Sequence, residues 1–213
     1  MNTDYTALAL VVDRSGSMHS VASDVKGSVK QFIGDQKKNP GKASLTVSQF
    51  DHEYEVIHNF KELSEVDEEA FANGYSPRGS TALLDAIGRA TIEMAQKVQS
   101  MPEADQPKRV VVAIITDGLE NASTDFTLEK IRDMIKEKEE LGWDFIFMGA
   151  TLDTIDIAKN MGFSPKRSAV YDASNVKTCM QSISDMITSA RLNKEVEISQ
   201  EERDRLASTA PAS

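Results

Sequence analysis

The chain has 213 residues, 40% of them hydrophobic and 27% charged, with a formal net charge of -10. That composition is globular, the length suffices to bury a core without disulfides, and the acidic balance without any dense Lys/Arg cluster argues against nucleic acid or an anionic membrane as partner. A single cysteine, Cys179, excludes an internal disulfide and fits a reducing compartment; with no membrane-length apolar run and no basic leader, a cytoplasmic protein is expected.

The first element is "YTALALVV" (5–12), short and apolar, which reads as a strand buried on both faces. Residues 20–38 place Val21, Val25, Val29, Phe32 and Ile33 at helical spacing, with Lys37 and Lys38 near the end. After the turn "NPGK" (39–42), "ASLTVSQF" (43–50) and "YEVIHNF" (54–60) form a hairpin across "DHE". Residues 61–80 read as a mixed connection with a short helical piece, closing in the loop "NGYSPRGS" (73–80). A helix follows from Ala82 to about Met101, carrying Leu83, Leu84, Ile87, Ile92 and Met94. "RVVVAIIT" (109–116) is a second fully buried strand, stopped by "DGLEN". Then come a helix over 128–141, a strand "WDFIFMGA" (143–150), a short helix over 152–161, a weaker strand "SAVYDA" (168–173) and a helix over 175–192. One domain is expected over 1–192. The tail 193–213 is polar and is expected to be a frayed helix passing into disorder.

Strands alternate with helices, and two strands lack polar alternation. This predicts a doubly wound, Rossmann-like α/β fold: a mostly parallel central sheet with one antiparallel edge strand and helices on both faces. In such open sheets, ligands bind beyond the carboxyl ends of the strands. The informative segments are therefore those after Val12 and Thr116, and the loop before Ala82.

Those segments supply Asp13, Ser15 and Ser17, then Ser80 and Thr81, then Thr116 and Asp117. All are hard oxygen donors, with neither histidine nor cysteine among them. Such a set suits Mg²⁺, Mn²⁺ or Ca²⁺ rather than zinc, and Mg²⁺, which keeps several waters, is the first choice. Asp13, Ser15 and Ser17 can face one side if the chain stays extended or turns tightly, and Gly16 permits unusual dihedrals there. A cation held largely through water stays electron-poor, and a carboxylate from a partner protein would satisfy it.

"DRSGS" matches the D-x-S-x-S signature of the von Willebrand factor A domain. "RGSTALLDAI" resembles that family's G-x-T-x-L element through Gly79, Thr81 and Leu83, and "IITDGLEN" its apolar strand ending in T-D-G. The three occur in order and cover roughly residues 5–190. The resemblance implies a metal-ion-dependent adhesion site (MIDAS). Ser15 and Ser17 would be direct hydroxyl ligands, and Thr81 direct in the ligand-ready state. Asp13 and Asp117 would act mainly through water or hydrogen bonds. An open coordination position would take a partner's glutamate or aspartate.

Each residue also has a plainer reading. Asp13, Ser15, Ser17 and Thr81 could be helix N-caps, and Asp117 before Gly118 a turn residue. Asp85 fits either a hydrogen bond near the site or helix-start electrostatics. Glu120 and Asn121 fit partner contact and ordinary loop roles equally. Arg14 reads as a solvated rim charge, His19, His52 and His58 as scattered surface or strand residues, and the run 136–140 as a solvated helix face. Met94, Met134, Met161, Met180, Met186 and Cys179 read as core.

The expected function is a non-enzymatic, metal-dependent protein-binding module, monomeric, gripping an acidic residue of a separate chain. Intracellular members of the resembled family often act as adaptors with AAA+ ATPases or within larger assemblies, which makes such a partner the expectation here. The alternative is metal-assisted phosphoryl transfer or hydrolysis with Asp13 as nucleophile. Against it, Ser15 stands where the haloacid-dehalogenase pattern needs a second aspartate. There is also no phosphate-binding glycine loop with its lysine, and no G-x-G-x-x-G.

Overall fold

The computed structural model describes residues 2–208. Its strands are β1 (Asn2–Asp13), β2 (Lys42–Phe50), β3 (Tyr54–Glu62), β4 (Pro107–Thr116), β5 (Trp143–Gly149) and β6 (Ser168–Val170). They form one six-stranded sheet in the order β3-β2-β1-β4-β5-β6. Every neighbouring pair is parallel except β2 with β3, the antiparallel edge made by the early hairpin.

Helices cover both faces, which is why the central strands lack polar alternation. Leu8, Leu10 and Val12 of β1 pack into the core beneath α1 (Ala22–Lys38), α2 (Ala70–Gly74) and α6 (Val176–Arg191). Ala7, Ala9 and Val11 point the other way, into the core beneath α3 (Leu83–Gln99), α4 (Leu128–Glu140) and α5 (Leu152–Asn160). All six β1 side chains are at most 1% exposed, so each residue of the run is apolar on its own account.

The registers bring the strand ends together. Asp13 lies opposite Phe50, Val12 opposite Ile115, and Thr116 opposite Gly149, so the carboxyl ends of β1, β2, β4 and β5 share one edge. The chain leaves β1 toward β2 on one side and reaches β4 on the other. The topological switch point therefore lies between β1 and β4.

Three expectations are corrected. The tail is ordered over its described part. Ser199 and Glu202 form a capping box at the start of α7 (Gln200–Ala207), and Val196, Ile198 and Leu206 are buried. The backbone amide of Ile198 donates to Lys166 O at 2.8 Å, and that of Asp172 to Leu206 O at 2.8 Å, so the segment docks beside β6. Three apolar residues spread over eleven positions leave no periodic stripe, which is why composition alone read the segment as a frayed helix passing into disorder; residues 209–213 lie outside the described range. Met134 is only half-buried and Ile92 is 38% exposed, because both look into a groove between α3 and α4. The last strand ends at Val170, three residues earlier than expected. Among the described residues, no helix is long and apolar enough to cross a membrane.

Candidate metal centre

β1 ends at Asp13, whose side chain is fully buried. One carboxylate oxygen, Oδ1, accepts the Ser15 amide at 2.6 Å; the other, Oδ2, accepts the Thr116 hydroxyl at 2.6 Å. The Tyr75 hydroxyl donates to Asp13 O at 2.7 Å and holds the backbone from the opposite side. Beyond Asp13 the chain is extended at Ser15 and then enters a 3-10 turn over Gly16–Val21. This geometry directs both serines toward β4. Ser15 Oγ lies 3.1 Å from Ser17 Oγ, and Ser17 Oγ donates to Asp117 Oδ1 at 2.5 Å.

Thr81 is delivered by the loop before α3. Gly79 adopts φ +68°, a left-handed turn that glycine makes without penalty. Its carbonyl accepts the Gly16 amide at 3.2 Å, tying this loop to the serine loop. Gly16 has no positive φ, so the unusual dihedrals expected of it are not used, and a Cβ there would stand 3.4 Å from that carbonyl, an ordinary contact. The Thr81 amide donates to Asn121 Oδ1 at 2.9 Å, and its carbonyl accepts the Asn121 amide at 3.0 Å.

The capping readings fail for both hydroxyls. Ser15 makes no side-chain cap bond, and the N-cap position of α3 belongs to Ala82. The start of α3 is served instead by Glu120, whose Oε2 accepts the Leu84 amide at 3.0 Å. Asp85 acts in the other direction: its carboxylate accepts the amides of Thr124, Asp125 and Phe126 at 2.9–3.0 Å and shapes the loop after Asp117. Glu120, Asn121, Tyr75 and Thr116 are thus supporting residues whose roles sequence spacing does not reveal.

The three segments meet beside Gly118. A Cβ there would stand 2.7 Å from Thr81 Oγ1, 3.4 Å from Ser15 Oγ and 3.5 Å from Asp13 Oδ2. All five predicted residues therefore belong to one constellation, with Asp13, Ser15 and Thr81 as a buried floor and Ser17 on the exposed side. Burial pushes the Asp13 carboxyl up to about 6; the charge of Asp117 adds to this, while the bonds from Thr116 and Ser15 oppose it. Asp117 is raised as well, again mainly by burial. Among the described residues, neither carboxylate has a cationic side chain bonded to it. Two under-compensated carboxylates, three hydroxyls and a space without a Cβ fit a hard divalent cation.

Arg14 corrects its expectation. It is 4% exposed rather than solvated, with Nε on Asp51 Oδ2 at 3.0 Å and Nη1 on Glu55 Oε2 at 2.6 Å. Asp51, His52 and Glu53 also gather ligand atoms within 4.8 Å of one another. They do not make a comparable cation site. Asp51 Oδ2 is shared by the Arg14 and Arg78 guanidiniums, its Oδ1 accepts the Glu53 amide, and Glu53 pairs with Arg78.

A doubly wound sheet with an oxygen-lined cradle at its switch point defines a class of α/β domain with a candidate site at the carboxyl edge of its sheet. The chain belongs to the von Willebrand factor type A domain family, whose family model matches residues 7–186. No curated protein matches the chain. Among solved structures it is similar to the von Willebrand factor domain of the type V pili tip protein Mfa5 from Porphyromonas gingivalis, at 11% identity and TM-score 0.64, covering 93% of this chain and 99% of that one. It is similar to a mutant PilB minor pilin from Streptococcus sanguinis at 14% identity and TM-score 0.64, covering 87% and 62%. It is also similar to proximal thread matrix protein 1 from the mussel byssus at 16% identity and TM-score 0.63, covering 86% and 46%; another structure of that protein has a zinc-occupied MIDAS motif. The chain thus spans about half of the mussel protein and under two thirds of the minor pilin, and at these identities the likeness is one of fold.

Proposed function

We propose that this chain is a metal-ion-dependent protein-binding module. Ser15, Ser17 and Thr81 would hold the cation through their hydroxyls, and Asp13 and Asp117 would act mainly through water and hydrogen bonds. The observation that carries the reading is the convergence of Thr81, Ser15 and Asp13 oxygens on the space beside Gly118. When bound, the cation supplies a Lewis-acidic charge for a glutamate or aspartate of a second protein. The all-oxygen donor set favours Mg²⁺, with Mn²⁺ or Ca²⁺ as substitutes. The zinc-occupied MIDAS motif of the mussel protein supports a divalent cation at this place in the fold.

The module acts as a cytoplasmic, monomeric adaptor, its partner an AAA+ ATPase or a component of a larger assembly. Phosphoryl transfer is disfavoured on geometry. Asp13 is wholly buried and each of its oxygens already accepts a hydrogen bond, from the Ser15 amide and the Thr116 hydroxyl, which holds the carboxylate in place and weakens it as a nucleophile. Calorimetric titration of Mg²⁺ and Mn²⁺ into the wild type and Asp13→Ala tests the site; equal heats from the two proteins would refute it. Partner capture with and without chelator tests the mode of binding, and capture indifferent to chelator would count against a metal bridge.

A further inference from the structure

A residue outside the five-residue constellation ties its two loops together. Asp51 is the first residue after β2 and is fully buried. Its Oδ2 accepts Arg14 Nε at 3.0 Å and Arg78 Nε at 2.9 Å. Its Oδ1 accepts the Glu53 amide at 2.6 Å, and its backbone carbonyl accepts the Ala82 amide at 2.8 Å. Arg14 sits between Asp13 and Ser15. Arg78 and Ala82 flank Thr81, and the Arg78 amide closes the circuit on Arg14 O at 2.8 Å. Burial alone would raise the Asp51 carboxyl. The Glu53 amide, the Arg78 hydrogen bond and the two guanidinium charges outweigh it and hold Asp51 below the usual carboxylate range.

We propose that Asp51 is a positioning residue for the metal centre: through Arg14 and Arg78 its carboxylate sets the separation between the Ser15–Ser17 loop and Thr81. This rests on the metal reading above. A cation pulling together hydroxyls from two loops binds tightly only if the loops are already spaced for it, since otherwise binding must order them. The arrangement also explains how a buried arginine can stand inside a cation-binding loop. Asp51 and Glu55 balance the Arg14 guanidinium, which would otherwise repel the metal.

One variant separates positioning from charge, and a second gauges the size of the effect. Arg78 is half-exposed, so Arg78→Gln removes one arm of the tie at a tolerant position. Removing a positive charge beside a cation site should by electrostatics alone tighten metal binding. Positioning by Asp51 requires the opposite, and severalfold weaker Mn²⁺ binding is expected. Asp51→Asn keeps the shape but loses the charge that gathers both guanidiniums. Lost positioning and lost negative charge both weaken metal binding, and a loss of roughly tenfold or worse is expected; this variant gauges the size of the effect while Arg78→Gln decides its cause. Ile135→Val, a destabilising change in the core under α4, serves as control and should leave the affinity unchanged. Mn²⁺ titration of the four proteins, with circular dichroism confirming the fold, reads the result. If the wild type binds Mn²⁺ while Arg78→Gln binds as well or better, the positioning role is overturned and the metal site stands. If the wild type does not bind Mn²⁺ at all, the metal reading falls and this inference with it. If Asp51→Asn does not fold, Arg78→Gln alone decides.

Discussion

Thr81 and Asn121 exchange two hydrogen bonds, Thr81 N to Asn121 Oδ1 at 2.9 Å and Asn121 N to Thr81 O at 3.0 Å. The pair clamps the segment bearing the threonine hydroxyl to the loop that begins at Asp117. Asn121→Ala leaves the buried Thr81 amide unpaired. A loss of about 1–3 kcal/mol in chemical denaturation is expected, together with weaker Mg²⁺ binding. An unchanged midpoint and unchanged affinity would show that the clamp does not matter.

Gly118 is a lever on the site that hardly touches the fold. Its φ is not positive, so alanine is allowed by the backbone, yet the added Cβ would stand 2.7 Å from Thr81 Oγ1. Gly118→Ala should therefore keep a native circular-dichroism spectrum and lose Mg²⁺ binding. Retained binding would mean that the cradle beside Gly118 is not where the cation sits.

The buried Asp13 carboxyl makes a signed prediction about pH. Its value is raised from 3.8 to about 6 in the folded, metal-free protein. Between those values the folded state binds more protons than the unfolded state, so stability falls as pH rises. The stabilising contribution is fully present below about 4 and lost above about 6. The span corresponds to roughly 3 kcal/mol. Asp13→Asn should remove that dependence and raise the melting temperature of the chelated protein at neutral pH. Excess Mg²⁺ should then stabilise the wild type and leave Asp13→Asn where it was. A variant less stable than wild type in chelator at neutral pH would contradict this.

Leu206 tests the docked tail. It is fully buried at the end of α7, in the core shared with α6. Leu206→Ala should cost about 2–4 kcal/mol, read by urea denaturation. A change within about 0.5 kcal/mol, the range of an ordinary surface substitution, would show that the tail contributes nothing to the domain.

Much of the fold was legible because its signals are local. The apolar runs of β1 and β4, the helical stripe of α1 and the turn residues of the β2–β3 hairpin each lie within one window of the chain. The five candidate residues stand out in the sequence for another reason: their donor chemistry and their places after β1, before α3 and after β4 agree with one known signature. Arg14 was not legible. A guanidinium just past a strand end is usually solvated, and what buries this one are carboxylates 37 and 41 residues away. The same holds for Glu120, which serves the start of α3 from 36 residues away, and for the sparse apolar residues of the tail.

The sequence by itself determined the order of strands and helices, their amphipathic faces and the oxygen chemistry available at the strand ends, because periodicity and residue type are properties of short stretches. Only the tertiary structure decided that Ser17 and Asp117, 100 residues apart, share a hydrogen bond, that Gly118 leaves the space between three loops, and that Asp51 holds two of them together. Such contacts depend on where the chain crosses from one side of β1 to the other, and no local pattern encodes that distance.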